Sequence, residues 1–374
     1  MFSKTKSVCF ILLILPQIIK SQVTFIDSNQ NKPLESISLL FGGDLMGHGP
    51  QIRAALVDSN QTYDYKPGFQ YLEEYIKQAD ISVANLEVTL AGPPFKGYPQ
   101  FSSPDAYARN MKELGFDILV TANNHSQDRG KKGLIRTVRI LDSIGIDHTG
   151  TFQDTTEFER NYPLIKTIKG TRIAFLNFTY GTNGLRVKHP TMVNMLDSQH
   201  IIQAIEKAKK RNADLIIPIV HWGTEYQRHE NRVQRRWAQF LADQGCDAII
   251  GMHPHVVQPI KMIQNKEGKS IPVAYSLGNF VSNQRDRYKD GGILFRLKFL
   301  KRGNQIVFSD YDYKPFWVNK LLPHELYPPF TKRGYYLIPP SKIDIMNEAS
   351  KTKAAQFYDD TYQLLGKKKA WSNP

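Results

Sequence analysis

From Ile37 onward the chain alternates short apolar runs with segments whose apolar residues recur every three or four positions. That rhythm constrains the fold more than any other feature, because it requires buried strands covered by amphipathic helices, an α/β architecture. The runs at residues 37–41, 80–84, 117–121, 214–220 and 247–250 read as parallel strands, and four of the five open on an Asp. Helices are predicted over 69–78, 105–114, 131–144, 198–211 and 233–244, with Leu134, Val138 and Leu141 forming one apolar stripe. Residues 162–180, 260–280 and 291–313 each carry turn residues between apolar stretches and read as hairpins. They point to a second, partly antiparallel sheet packed on the first. The body is expected to span residues 37–320, and residues 321–374, rich in Pro, Tyr and Lys, to form a basic C-terminal appendage.

The ends of the five runs carry the chemistry. They finish in Phe41-Gly-Gly-Asp44, Ala84-Asn-Leu-Glu87, Ala122-Asn-Asn-His125, Val220-His221 and Gly251-Met-His-Pro-His255. Open α/β sheets bind ligands beyond the carboxyl ends of their strands, so these endings can converge although they are far apart in sequence. Each has an ordinary structural use when taken alone: Asp44 as a turn residue, Glu87 as a cap, Asn124 in a tight turn, His221 or the His253–His255 pair as satisfied polar groups. Together, at equivalent positions, they describe a divalent metal site, and a mixed imidazole and oxygen set suits Mn, Fe or Zn better than Ca or Mg. Two ions are expected.

Charge and cysteine content narrow the partners. The chain carries 49 Lys and Arg against 35 Asp and Glu, a net +14, which favours acidic partners. Basic clusters lie at Lys209, Lys210 and Arg211, at Arg235 and Arg236, and at Lys367–Lys369, surfaces that could hold such a partner by charge. Nucleic acid is not expected, since no binding module is recognisable. With Cys9 and Cys246 as the only cysteines, an intramolecular disulfide framework and a Cys-based zinc cluster are both excluded. Lys4 and Lys6 precede a mostly apolar run at residues 8–19 broken by Pro16, with Ser21 just beyond. Residues 1–21 thus read as a signal peptide, either cleaved or kept as an anchor, and place the protein in the periplasm or cell envelope.

The segments GGDLMGHG, ADISVANLE, TANNHSQDRG, PIVHWGTEY, GMHPHVVQPI and YSLGNF resemble, in this order, the motif series of the capsule-synthesis protein CapA family, associated with poly-γ-glutamate production. The resemblance covers residues 37–300. It implies a fold similar to the calcineurin-like metallophosphoesterases, two stacked mixed sheets with helices on both outer faces. It also implies Asp44, Asn124, His221, His253 and His255 as metal ligands, with Glu87 as the bridging or second-metal carboxylate and Asn85 as the other candidate for that place. His125 would assist the leaving group, and Glu225, Asp128, Tyr275 and Asn279 fall in the motifs without an assigned role.

The sequence departs from the pattern in two places. Met46 stands where such enzymes usually have a His, with His48 able to compensate only if its loop turns back, and Met252 stands where the capsule family often has another His. The activity implied is metal-dependent hydrolysis of a phosphoester or γ-glutamyl amide by an ion-activated hydroxide. The other reading is a non-catalytic assembly or export subunit that keeps the fold and binds anionic polymer. Under either reading, membrane-bound polymer-synthesis subunits are the protein partners expected.

Overall fold

A computed structural model describes residues 33–58, 60 and 62–371; the predicted signal peptide, residues 1–21, lies outside them. In chain order the strands are β1 (Leu34–Leu45), β2 (Ile81–Leu86), β3 (Ile118–Val120), β4 (Asp147–Thr149), β5 (Thr151–Phe152), β6 (Leu164–Ile168), β7 (Thr171–Thr179), β8 (Met192–Val193), β9 (Leu215–His221), β10 (Ile249–Met252), β11 (Ile260–Gln264), β12 (Ser270–Ala274), β13 (Asn279–Val281), β14 (Gly291–Arg302), β15 (Gln305–Leu321) and β16 (Gly334–Ile338). One sheet runs β16-β15-β14-β1-β2-β3-β4 with β13 beside the end of β1, and the other runs β11-β12-β10-β9-β7-β6.

Strand alternation explains why the sheets stack. In β1, Ile37, Leu39 and Phe41 face inward, where with Val83 and Val120 they meet Phe175, Ile217, Ile219 and Ile250 of the other sheet. Leu40, Ala84 and Leu119 face outward and are covered by Phe69, Leu72, Met111, Leu114 and Leu141. On the opposite side, Ala174, Leu176, Ile216 and Val220 pack under Ile201, Ile205, Ala208 and Leu241. The result is a helix–sheet–sheet–helix sandwich, in which each fully buried Leu, Ile or Phe contributes roughly 1.5–3 kcal/mol.

The five parallel runs do not share one sheet. β1, β2 and β3 lie in the first and β9 and β10 in the second, because β9 pairs in parallel with β7, from Ile173↔Leu215 to Thr179↔His221. The hairpin β6–β7 therefore opens the second sheet and acts as the template for β9. The hairpins are also divided: β14–β15 extends the first sheet, while β6–β7 and β11–β12 flank the second. The helix predicted at 69–78 is two short ones, Lys66–Phe69 and Glu73–Lys77, the first started by Pro67.

The C-terminal segment is not an appendage. β16 pairs with β15 from Trp317↔Ile338 to Leu321↔Gly334, and Phe357 and Tyr358 of the helix Glu348–Leu365 belong to the inter-sheet core. Trp371 is buried too, its ring edge-on to Tyr75 and 3.3 Å beneath the Arg296 guanidinium. At Gly68 a Cβ would lie 2.3 Å from the Tyr335 carbonyl, so only glycine allows β16 this close.

The Asp residues that open the strands share one task. Asp80 accepts hydrogen bonds from the Ser38 backbone (2.8 Å) and hydroxyl (3.0 Å), and Asp117 does the same with Ser82 (2.8 and 2.9 Å). Asp214 accepts from the Arg172 backbone (2.7 Å) and Asp247 from that of Ile216 (2.9 Å). Each carboxylate thus satisfies an N–H of the neighbouring strand and helps fix the register.

Candidate metal centre

The carboxyl ends of strands from both sheets meet at one edge of the sandwich. At Gly43 a Cβ would sit 2.0 Å from the Gly278 carbonyl, so glycine is what lets β1 bulge past this loop and deliver Asp44. Asn177 of β7 ties the two sheets together here. Its side-chain oxygen accepts from the backbone nitrogens of Thr121 (3.1 Å) and Ala122 (2.6 Å), and its amide donates to the Ile219 carbonyl (3.0 Å). After β10 the chain turns through His253 (φ 97°) and His255 (φ 57°), left-handed conformations that cost a non-glycine residue about 1–3 kcal/mol each.

Two donor groups result, and they share Glu87. Ligand atoms of Glu87, His221 and His253 lie within 4.8 Å of one another, as do those of Asp44, Glu87 and His255. In the first group His221 Nε2 is 3.0 Å from Asn124 Oδ1, 3.1 Å from His253 Nδ1 and 3.5 Å from Glu87 Oε1. In the second, His255 Nδ1 is 3.3 Å from Asp44 Oδ2 and His255 Nε2 is 3.6 Å from Glu87 Oε1. Asn85 braces both, its amide nitrogen 2.8 Å from Asp44 Oδ1 and 3.3 Å from His221 Nδ1. The Asn123 amide, 3.1 Å from Asn85 Oδ1, holds it in turn.

The electrostatics are those of a cation site. Asp44 and Glu87 are fully buried, and Glu87 Oε1 has no hydrogen-bond partner. Burial and the neighbouring Asp44 raise the Glu87 carboxyl well above its ordinary value. Burial would raise Asp44 as well, but His255, His221 and Asn85 outweigh it and bring it to about 2. Burial pushes His221 down to about 3 and His253 well below the usual imidazole range, leaving both neutral with a lone pair to offer. His255 is also opposed by burial, yet Glu87 and Asp44 lift it to about 9. A buried orphan carboxyl oxygen grouped with the neutral His221 and His253 fits a divalent cation, which would take the place of the proton on His255, and the nitrogen and oxygen donors suit Zn, Mn or Fe.

The structure therefore brings Asp44, Glu87, Asn124, His221, His253 and His255 together. His125 is adjacent, acting electrostatically on Glu87, His221 and His253. Its Nδ1 lies 2.8 Å from Asp128, whose same oxygen accepts from the Phe101 backbone. Asn279 Oδ1 sits 3.0 Å from His255 Nδ1. Tyr275 is buried away from the donors, its carbonyl receiving the Trp222 indole N–H. Met46 is buried in the apolar layer beneath the helices, and Met252 in the inter-sheet core. His48 does not replace Met46: it belongs to none of the donor groups, its Nδ1 facing Gln51 Oε1 (3.1 Å) and the Asn283 nitrogen (3.3 Å), although its ring is near enough to feel His255 and His125.

Sequence reasoning missed Asn177, a mid-strand Asn with no motif to mark it, and gave Glu225 no role, although its carboxylate joins His253 and His255 in a third donor group. The basic cluster at Lys209–Arg211 lies at the opposite, strand-start edge, where Lys209 and Arg211 bind backbone carbonyls of Gln244 and Glu159.

A two-sheet sandwich with helices outside and carboxylates and histidines at its strand ends defines a protein of the metallophosphoesterase fold type. Among solved structures it is similar to the NAD nucleotidase NadN of Haemophilus influenzae, with TM-score 0.50 and 13% identity, over 89% of this chain and 57% of that one. A looser likeness is to the calcineurin-like phosphoesterase YfkN of Bacillus subtilis, with TM-score 0.45 and 16% identity, over 88% of this chain and 99% of that one. The family model for the bacterial capsule synthesis protein PGA_cap matches residues 38–284, and the chain belongs to that family. Its relatives include the capsule biosynthesis protein CapA of Bacillus anthracis, 28% identical over 78% of this chain and 73% of that protein. The PGA biosynthesis protein CapA of Bacillus subtilis is 31% identical over 58% of this chain and 57% of that protein. The chain thus spans little more than half of the latter.

Proposed function

We propose that this chain is a divalent-metal-dependent hydrolase of the cell envelope, acting on a phosphoester or γ-glutamyl amide during formation of a capsule- or poly-γ-glutamate-type polymer. The observation that carries the chemistry is the pair of buried donor groups sharing Glu87. Family membership and the names of the relatives carry the polymer. Asn124, His221, His253 and Glu87 would hold one cation, and Asp44, Glu87 and His255 the other. Bound divalent ions supply an activated water and neutralise charge on substrate oxygens.

The chain's own residues do the remainder. Asp128 orients His125 through Nδ1, so that Nε2 can deliver a proton to the departing oxygen or nitrogen, typically worth about 10²–10⁴ in rate. Lys289, paired with Asp286, lies 4.3 Å over the Tyr226 ring, which itself is 6.2 Å from His255, so an anionic chain would reach the centre past this residue. No helix among the described residues is long and apolar enough to cross a membrane, and attachment to membrane-bound synthesis subunits would run through other surfaces.

The test is metal content with turnover. Purified protein is assayed for Mn, Fe and Zn and for hydrolysis of a generic phosphodiester and a γ-linked glutamate polymer, beside His255→Ala and Asn124→Ala. Loss of metal and rate together in both variants is expected. Undiminished rate in both would remove the mechanism.

A further inference from the structure

The two donor groups are unequal. The first has four protein donors, Glu87, Asn124, His221 and His253, whereas the second has three, Asp44, Glu87 and His255. Neither Met46 nor His48 makes up the difference, the one being packed in the apolar layer and the other lying outside every donor group with its Nδ1 held by Gln51 and Asn283.

Glu225 sits where a further donor is needed. Its carboxylate lies within 4.8 Å of ligand atoms of both His253 and His255. It also acts electrostatically on His255, Glu87 and His221, so it faces the centre as a whole. Its carboxylate is hydrogen-bonded to the side chain of the adjacent Tyr226, and among the described residues it makes no ion pair with Lys or Arg.

The loop that carries Glu225 is built to hold it there. Gly223 (φ 93°) and Tyr226 (φ 67°) are both left-handed and fold the chain back after His221. At Gly223 a Cβ would lie 2.7 Å from the Gln234 amide carbon. The Tyr226 N–H donates to the Pro254 carbonyl at 2.8 Å, clamping the residue after Glu225 onto the turn that presents His253 and His255. The Gln258 amide donates to the carbonyls of Gln227 (2.8 Å) and His229 (3.2 Å), and accepts from Gln234 (2.8 Å), which closes the loop from behind.

Resting on the metal reading above, we propose that Glu225 is a ligand to the cation held by Asp44, Glu87 and His255, completing from the β9 loop a site that the strand ends leave one donor short.

The test is Mn²⁺ binding to metal-free protein, followed by calorimetry and by the electron paramagnetic resonance signal of a spin-coupled Mn pair. Wild type is expected to bind two ions and show the coupled signal. Glu225→Gln, close in shape, should weaken one site by roughly tenfold or more and lose the coupled signal at low metal, while the other site is unchanged. Glu225→Asp should fall between, and His221→Ala should weaken the opposite site. Two ions bound by Glu225→Gln with unchanged affinities and an intact coupled signal would overturn the assignment while leaving the metal centre standing. A wild-type chain that binds no Mn²⁺ would bring down both.

Discussion

Both ends of the sandwich are lined with carboxylates, and they are treated in opposite ways. At the strand starts, Asp80, Asp117, Asp214 and Asp247 each accept a backbone N–H from the next strand, and Asp80 and Asp247 also pair with Lys169 (2.7 Å) and Lys269 (2.5 Å). At the strand ends, Asp44 and Glu87 are buried among imidazoles, and among the described residues Glu87 Oε1 has no hydrogen-bond partner. The first arrangement is complete and stabilises the fold. The second leaves a buried carboxyl oxygen without a hydrogen bond, the place the proposed cation would fill, and left-handed His253 and His255 add to its cost. The fold is thus secured at one edge while the other holds unsatisfied donors, which is the division expected when a site trades stability for chemistry.

That contrast can be broken or sharpened by experiment. The largest effect should come from His125→Ala, expected to lower turnover by about 10²–10⁴ with metal content unchanged, since it stands beside the donors and not among them. Loss of metal together with rate would move His125 into the ligand set. Next, removing metal with a chelator should lower the thermal midpoint, because ligand at a hundred times its dissociation constant stabilises by about 2.7 kcal/mol; scanning calorimetry with and without Mn²⁺ measures it, and an unchanged midpoint would count against the incomplete edge. Asp117→Ala, at the opposite edge, leaves the Ser82 N–H without its acceptor, the hydroxyl keeping the Gly115 carbonyl at 2.6 Å, and should cost about 1–3 kcal/mol in urea unfolding with full metal content. A loss of metal there would erase the distinction between the edges.

The smallest effect is a pH dependence. Burial would raise the Asp80 carboxyl, but Lys169 and Ser38 outweigh it and hold it below 3.8. A depressed folded value means stability that is present above the unfolded value and lost as pH falls through the folded one. Asp80→Asn should therefore flatten the acid limb below about pH 4 by under about 1 kcal/mol, the pair being partly exposed and screened.

The gathering of donors at one edge was legible in the sequence because each strand run closes on a ligand-type residue, and five such endings in one chain are informative together. The partition of the strands was not, since an apolar run reads the same in either sheet and only pairing with β7 decides where β9 goes. The tail was misread because Tyr, Phe and Trp bury a face that its Pro and Lys conceal: Tyr336, Phe357 and Trp371 are all buried. The opening Asp residues stood out as a pattern, yet their partners Ser38, Ser82, Arg172 and Ile216 belong to strands far away in sequence and appear only in the fold. Glu225 lay in a recognisable motif, but its orientation depends on a clamp between Tyr226 and Pro254 that local spacing does not encode.

The most direct test is the number of divalent ions held by the wild-type chain and by Glu87→Ala, measured by elemental analysis after loading with Mn²⁺ and removal of excess. Two ions per chain, with both sites weakened by the single substitution at the shared carboxylate, is the predicted result. A wild-type chain that retains no ion, or a Glu87→Ala chain that retains two as tightly, would contradict the account.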